Sequence, residues 1–167
     1  LIVAPGNPLG LGSLADVALT SARFLNRPLG TGTRVLLDDL LAQAGVEAQA
    51  IRGYALNEPS HTAIAQAVAA GAADVGMGIE VAARARGLDF VPLVHERYHL
   101  ACLKASLDQP ATLALRNLLQ TPEWLAQMAT LPGYSPWQCG EVQAMNTVLP
   151  WWQFTRKKRT SEPRKKP

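Results

Sequence analysis

Asn26-Arg27-Pro28-Leu29-Gly30-Thr31-Gly32-Thr33-Arg34 is the stretch on which the fold turns. It follows the short apolar run Phe24-Leu25 and leads into an amphipathic segment, Val35-Leu36-Leu37-Asp38-Asp39-Leu40-Leu41-Ala42-Gln43-Ala44-Gly45. A strand, a Gly/Thr turn and a helix start therefore follow in order. The first turn of a helix carries unpaired backbone N–H groups and a partial positive charge. Small residues let a ligand approach that backbone, and Thr hydroxyls and Arg add donors, which is the chemistry of an anion site. The same residues also read as a Thr-capped helix with no ligand.

Further along, a second turn resembles the first. Tyr54-Ala55-Leu56-Asn57-Glu58-Pro59-Ser60-His61-Thr62 leads into the Ala-rich run Ala63-Ile64-Ala65-Gln66-Ala67-Val68-Ala69-Ala70-Gly71. The run can pack closely on a sheet, and its start offers free N–H groups, two hydroxyls and an imidazole. The helix dipole biases His61 there toward the neutral form, which can donate one hydrogen bond to an anion. Ser60 acting only as a cap is the alternative. Two helix starts from neighbouring βα units can converge on one crevice at the strand ends.

Around these turns, strand and helix signals alternate. The sequence predicts strands over Leu1–Ala4, Arg23–Asn26, Glu47–Ile51 and Asp74–Ile79, then over Phe90–Val94 and Tyr98–Leu103. It predicts helices over Leu14–Leu19 capped by Ser13, 33–44 closed by Gly45, His61–Ala70 closed by Gly71, and Glu80–Arg86 closed by Gly87. Two more follow over Leu113–Leu119 and Pro122–Ala129, and Gly133 to Pro150 is rich in loops. Repeated βα units imply an α/β layer structure with parallel strands.

Composition bounds the function. The 167 residues, 48% hydrophobic, can bury a core as one domain or one and a half. Leu1 is not a start methionine, so a fragment or processed product is expected. There is no membrane-spanning run, and nothing directs export; a soluble, cytoplasmic chain is expected. Residues 156–167 carry seven Lys/Arg against Glu162, a net +6, leaving −3 on residues 1–155 of a chain whose total is +3. The body is mildly acidic, and residues 151–167 read as a disordered basic tail. That tail could touch nucleic acid or act as an import signal, but no aromatics interleave its charges. Cys102 and Cys139 fit no CxxC pattern and are expected as reduced, mostly buried thiols. His95 and His99 fall on a predicted strand without further ligands, so no metal site is expected. No cofactor is expected either.

Together the motifs carry a resemblance. Val3-Ala4-Pro5-Gly6-Asn7-Pro8, Asn26 to Leu41, His61 to Ile79, Gly87-Leu88-Asp89-Phe90-Val91-Pro92-Leu93 with Glu96-Arg97-Tyr98, Gly133-Tyr134 and Gly140-Glu141-Val142 span residues 3–142. In this combination the chain resembles the type II periplasmic-binding-protein-like domain of molybdate-responsive transcriptional regulators and some molybdopterin-biosynthesis proteins. The resemblance implies two α/β lobes, crossing strands between them, and a small ligand in the cleft, bound without chemistry. It implies a tetrahedral oxyanion, such as molybdate or tungstate, held by Thr31, Gly32, Thr33, Ser60, His61 and Thr62. Arg27 and Arg34 lie nearby, and either could instead pair with Asp38 or Asp39. Tyr98 could close over the ligand.

By the same comparison, residues 1–7 are a crossover strand, 8–95 one complete ligand-binding lobe, and 96–150 only the returning part of the other. Most of the first lobe is missing. Exposed apolar faces are therefore expected at Leu1–Val3 and Tyr98–Leu103, with a homo-oligomer or a missing-lobe partner covering them. DNA would be reached only through a domain outside this chain, and no membrane partner is expected. Two alternatives stand beside the oxyanion sensor. One is a truncated fragment acting only in oligomerisation or partner binding. The other is an enzyme with catalysis near His61, although adjacent Ser60 and His61 do not supply triad geometry.

Overall fold

Side-chain alternation sets the layers. In the computed structural model, which describes residues 1–151, four two-residue strands form one sheet. They are β1 (Ile2–Val3), β2 (Phe24–Leu25), β3 (Val75–Gly76) and β4 (Asp89–Phe90), in the order β2-β3-β1-β4. Successive residues of a strand face opposite sides. Leu1, Val3, Phe24, Val75 and Met77 accordingly enter one core with Leu14 and Val17 of α1 (Leu14–Thr20) and Leu37 and Leu41 of α2 (Gly32–Ala44). Ile2 enters a second core on the other face. There it meets Ile64, Ala65 and Val68 of α3 (His61–Ala69) and Ala82 and Ala83 of α4 (Glu80–Arg84). The result is a mixed α/β sandwich with helices on both faces. Each fully buried Leu, Ile or Phe contributes about 1.5–3 kcal/mol.

Local chemistry starts α1 and α3 where the sequence puts them and α2 one residue earlier. Helix α3 stops at Ala69 and α4 at Arg84, short of Gly71 and Gly87, and the helix expected from Leu113 starts at Pro110. Ser13, Thr31 and Ser60 cap α1, α2 and α3 by accepting from Asp16 N, Arg34 N and Ala63 N. Gly45, in the left-handed region, closes α2 through bonds from its N–H to the Leu41 and Ala42 carbonyls. Helices α5 (Pro110–Leu119) and α6 (Pro122–Ala129) each begin on a proline, and a short α7 (Met145–Val148) follows.

Several expectations are corrected. The sheet is mixed. β2 and β3 run parallel, but β1 is antiparallel to both β3 and β4, with Ile2 opposite Gly76 and Phe90. Glu47–Ile51 holds a 3₁₀ turn at Ala48–Ala50 rather than a strand. Ala and Gln have little strand preference, and the edge beside β2 is taken by residues 52–58 instead. The expected strand Phe90–Val94 keeps only Phe90, in β4. Tyr98–Leu103 forms no strand, and residues 92–102 make no backbone hydrogen bond within the described chain. Leu1–Val3 is buried rather than exposed, because β1 lies inside the sheet between β3 and β4. Cys102 is exposed and Cys139 half-buried, since neither lies on an element that reaches a core; both are free thiols. His95 and His99 sit in the irregular exposed segment, not on a strand. The basic residues 156–167 lie outside the described residues.

One ion pair ties the start of β2 to the turn before β3. Arg23 meets Asp74 through Nε at 3.0 Å and Nη2 at 2.6 Å, and donates to the Gly71 and Ala72 carbonyls. These hydrogen bonds hold the Asp74 carboxyl below the usual carboxylate range. A lowered carboxylate pKa gives stability that is present at neutral pH and lost as pH falls through the folded-state value. Asp74→Asn is therefore expected to lower Tm at pH 7 by a small amount and to flatten the acid limb of Tm against pH. Equal acid limbs in the two proteins would show that the pair contributes nothing.

Candidate functional site

Topology brings two helix starts to one end of the sheet. α2 begins directly after the carboxyl end of β2. α3 precedes β3 and runs back against it, so the start of α3 lies at the carboxyl end of β3. Since β2 and β3 are parallel, both starts share that end. The first-turn N–H groups of each helix lack intrahelical acceptors.

The chain between the helices is pinned along β2. Phe24 N donates to the Arg52 carbonyl at 2.8 Å, Asn26 N to Leu56 O at 2.9 Å, and Glu58 N to Asn26 O at 2.9 Å. The Asn26 side chain, wholly buried, completes the tie. Its Nδ2 donates to Tyr54 O at 3.0 Å, and its Oδ1 accepts from Arg27 N at 2.8 Å. This seam carries Ser60 and His61 to the end of β2.

Arg27 and His61 occupy the ground between the helix starts. Arg27 Nη1 donates to the Glu58 carbonyl at 3.2 Å, while its Nε is buried without a protein partner. His61 Nδ1 is also buried and unpartnered, and it faces Gly78, where a Cβ would stand 3.5 Å away. Burial, and then the positive charge of Arg27, push His61 below the ordinary imidazole value, so the ring is neutral at pH 7. The sequence reading based the neutral ring on the helix dipole; in the structure burial and the Arg27 charge lower it.

The other predicted site residues divide by what they already bond. The Thr31 hydroxyl donates to Pro28 O at 2.9 Å and accepts from Arg34 N at 3.3 Å, so its proton is committed. Arg34 is buried, meets Asp38 at 3.2 Å and stacks over the Tyr54 ring at 4.1 Å. Tyr54 in turn donates to Asp38 at 2.6 Å. Of the pairings the sequence left open for the two arginines, Arg34 with Asp38 is the one formed. Ser60 Oγ accepts from Ala63 N at 3.0 Å and keeps its proton. Gly32 and Thr62 are exposed and Thr33 half-buried on the first turns. Tyr98 is 84% exposed in the irregular segment.

Asn26 and Gly78 escaped the sequence reading of the site. The available signal for Asn26 was a polar residue ending an apolar strand run. Gly78 had none beyond its place after β3. Two open depressions, of about 350 and 310 Å³, lie elsewhere, beside Tyr54 and the flank of α2. Neither depression is lined by residues of the two helix starts. No group of three or more His, Cys, Asp or Glu suited to a metal ion occurs among the described residues.

The model of the PBP superfamily domain matches residues 1–120. The Bacillus subtilis (strain 168) protein YvgK, itself described as uncharacterized, is 34% identical over 142 residues. The match covers 85% of this chain and 46% of YvgK, so the chain spans less than half of that relative. An uncharacterized Clostridium pasteurianum protein from the 5′ region of a ferredoxin 2Fe-2S gene is 30% identical over 109 residues, covering 65% of this chain and 96% of that protein. No solved structure matches the chain significantly.

Proposed function

This chain belongs to the periplasmic-binding-protein (PBP) superfamily, and we propose that it binds a small tetrahedral oxyanion, of the molybdate or tungstate kind, without chemistry. PBP-like domains bind small ligands. The oxyanion reading, and the role as ligand domain of a regulator or binding protein, are ours. One observation carries them: two helix starts share one end of the sheet, and the buried Arg27 Nε and His61 Nδ1 between them have no protein partner. An unpaired buried polar atom is costly unless something satisfies it. A charged oxygen acceptor satisfies Arg27 and the first-turn N–H groups together.

In this reading Arg27, Gly32, Thr33, Ser60, His61 and Thr62 face the anion. Thr31 and Arg34 shape the α2 turn, the first through its cap and the second through Asp38 and Tyr54. Residues 8–95 are the complete lobe of a type II arrangement. An enzyme at His61 finds less support, because no carboxylate orients the imidazole among the described residues.

Calorimetric titration with molybdate, tungstate, sulfate and phosphate tests the reading. Saturable binding of at least one is expected, with no response to chloride at matched ionic strength. Ser60→Ala and Thr33→Val should each weaken it by about 1.5–3 kcal/mol, the value of one donor to charge. No heat with any of the four anions would overturn the proposal.

A further inference from the structure

We infer that residues 98–151 form the interface of a homodimer, in which a second copy of this chain covers the face made by 98–103 and helices α5 and α6. The inference does not rest on the anion site, although Tyr98, the residue expected to close over the ligand, lies on this face.

Burial gives the first argument. None of residues 91–151 is buried, although α5 and α6 are amphipathic. Leu113, Leu115 and Leu118 of α5 are exposed, as are Tyr98, Leu100 and Leu103 in the segment before it. Large exposed apolar patches mark interaction sites.

Composition gives the second. Three of the four Trp, two of the three Tyr and two of the three Met lie within 98–151. The same stretch holds only Lys104, Asp108, Arg116, Glu123 and Glu141 as charged residues, against a much denser charge in residues 1–97. Aromatic and Met enrichment with charge depletion is the signature of an interface core.

Area gives the third. A compact chain of 17.9 kDa exposes about 8,000 Å², whereas this one exposes 12003 Å². Even with residues 152–167 credited with the full area of an unfolded chain, about 1,700 Å² stays in excess. Two chains would together cover about 3,400 Å², within the roughly 2,000–5,000 Å² of obligate homodimers. The patch also suits its own copy. Residues 98–102 make no backbone hydrogen bond among the described residues, and their N–H and C=O groups can pair antiparallel across a two-fold axis. The five charges nearly balance, so like charges need not face each other in excess.

Sedimentation equilibrium of the full 167-residue chain is the test. The expected mass is twice the 17.9 kDa of one chain. Leu100→Asp and Leu115→Asp, at exposed positions of the single chain, should return it to one chain with the far-UV spectrum of the parent. Three of the four Trp, Trp124, Trp137 and Trp151, lie within 98–151, so acrylamide quenching reads this face in the unsubstituted protein, and protection of part of the Trp signal is expected. A single-chain mass at every concentration, a polydisperse aggregate, freely quenched Trp, or a dimer indifferent to both substitutions in folded protein would each overturn the inference.

Discussion

Gly53→Ala is expected to destabilise the folded chain by at least about 3 kcal/mol, among the largest effects a methyl group can have. Two causes act together. Gly53 sits at φ +95, where an L side chain is strained. A Cβ there would also overlap the Phe24 carbonyl oxygen and stand 3.3 Å from both the Phe24 carbonyl carbon and nitrogen. Those atoms are the backbone of β2, and Phe24 is itself fixed in the core. The neighbour therefore cannot yield as a flexible side chain would. Relief requires residues 52–58 to peel away from β2, which breaks the bond from Phe24 N to Arg52 O. Tm should fall on the order of 10 °C. Gly71→Ala is the control. Gly71 has φ +70 but nothing within 4 Å of its would-be Cβ, so only left-handed strain of about 1–2 kcal/mol applies. Urea unfolding of both variants separates the terms. Equal losses would show that the approach of Gly53 to Phe24 is not a constraint.

The same seam explains what the sequence did and did not reveal. Caps and closing glycines act within a few residues, so Thr31, Gly45 and Ser60 could be read directly. Strand direction cannot be read that way. β1 carries two apolar residues and no local sign of whether its neighbours run with or against it. Its place between β3 and β4 follows from which faces the helices cover. Leu1–Val3 looked like surface awaiting a missing partner because its actual partners lie some seventy to ninety residues away in sequence. Glu47–Ile51 holds a 3₁₀ turn in place of the expected strand, and the residues that line β2 are the irregular 52–58, which carry no strand pattern. At the site, both helix starts were legible as separate motifs. Their neighbourhood was not, since it depends on the parallel pairing of β2 with β3. The unpartnered nitrogens of Arg27 and His61 depend on three-dimensional burial and had no signal at all.

Asn26→Ala should cost about 3 kcal/mol and, unlike Gly53→Ala, should separate stability from binding. Asn26 is 0% exposed, and its side chain holds Tyr54 O on one side and Arg27 N on the other. Removing it leaves a carbonyl and an N–H without partners in a confined space, at about 1–3 kcal/mol for each group. The small cavity adds to this. Asn26→Asp keeps the acceptor for Arg27 N but turns a second oxygen toward the Tyr54 carbonyl, so it should be no milder. The functional consequence follows from geometry. The Asn26 side chain ties Arg27 N, on the approach to α2, to Tyr54 O, on the segment that leads to Ser60 at the start of α3; the main-chain bond from Glu58 N to Asn26 O is not touched by the substitution. Loosening that tether lets the two helix starts drift apart while each keeps its own cap. Under conditions where Asn26→Ala remains folded, its anion affinity should drop at least as far as that of Ser60→Ala, although Asn26 itself touches no ligand. Titration beside urea unfolding decides this. A variant that loses stability yet binds as tightly as the parent would show that Asn26 supports the fold alone, and that the alignment of α2 with α3 rests on other contacts.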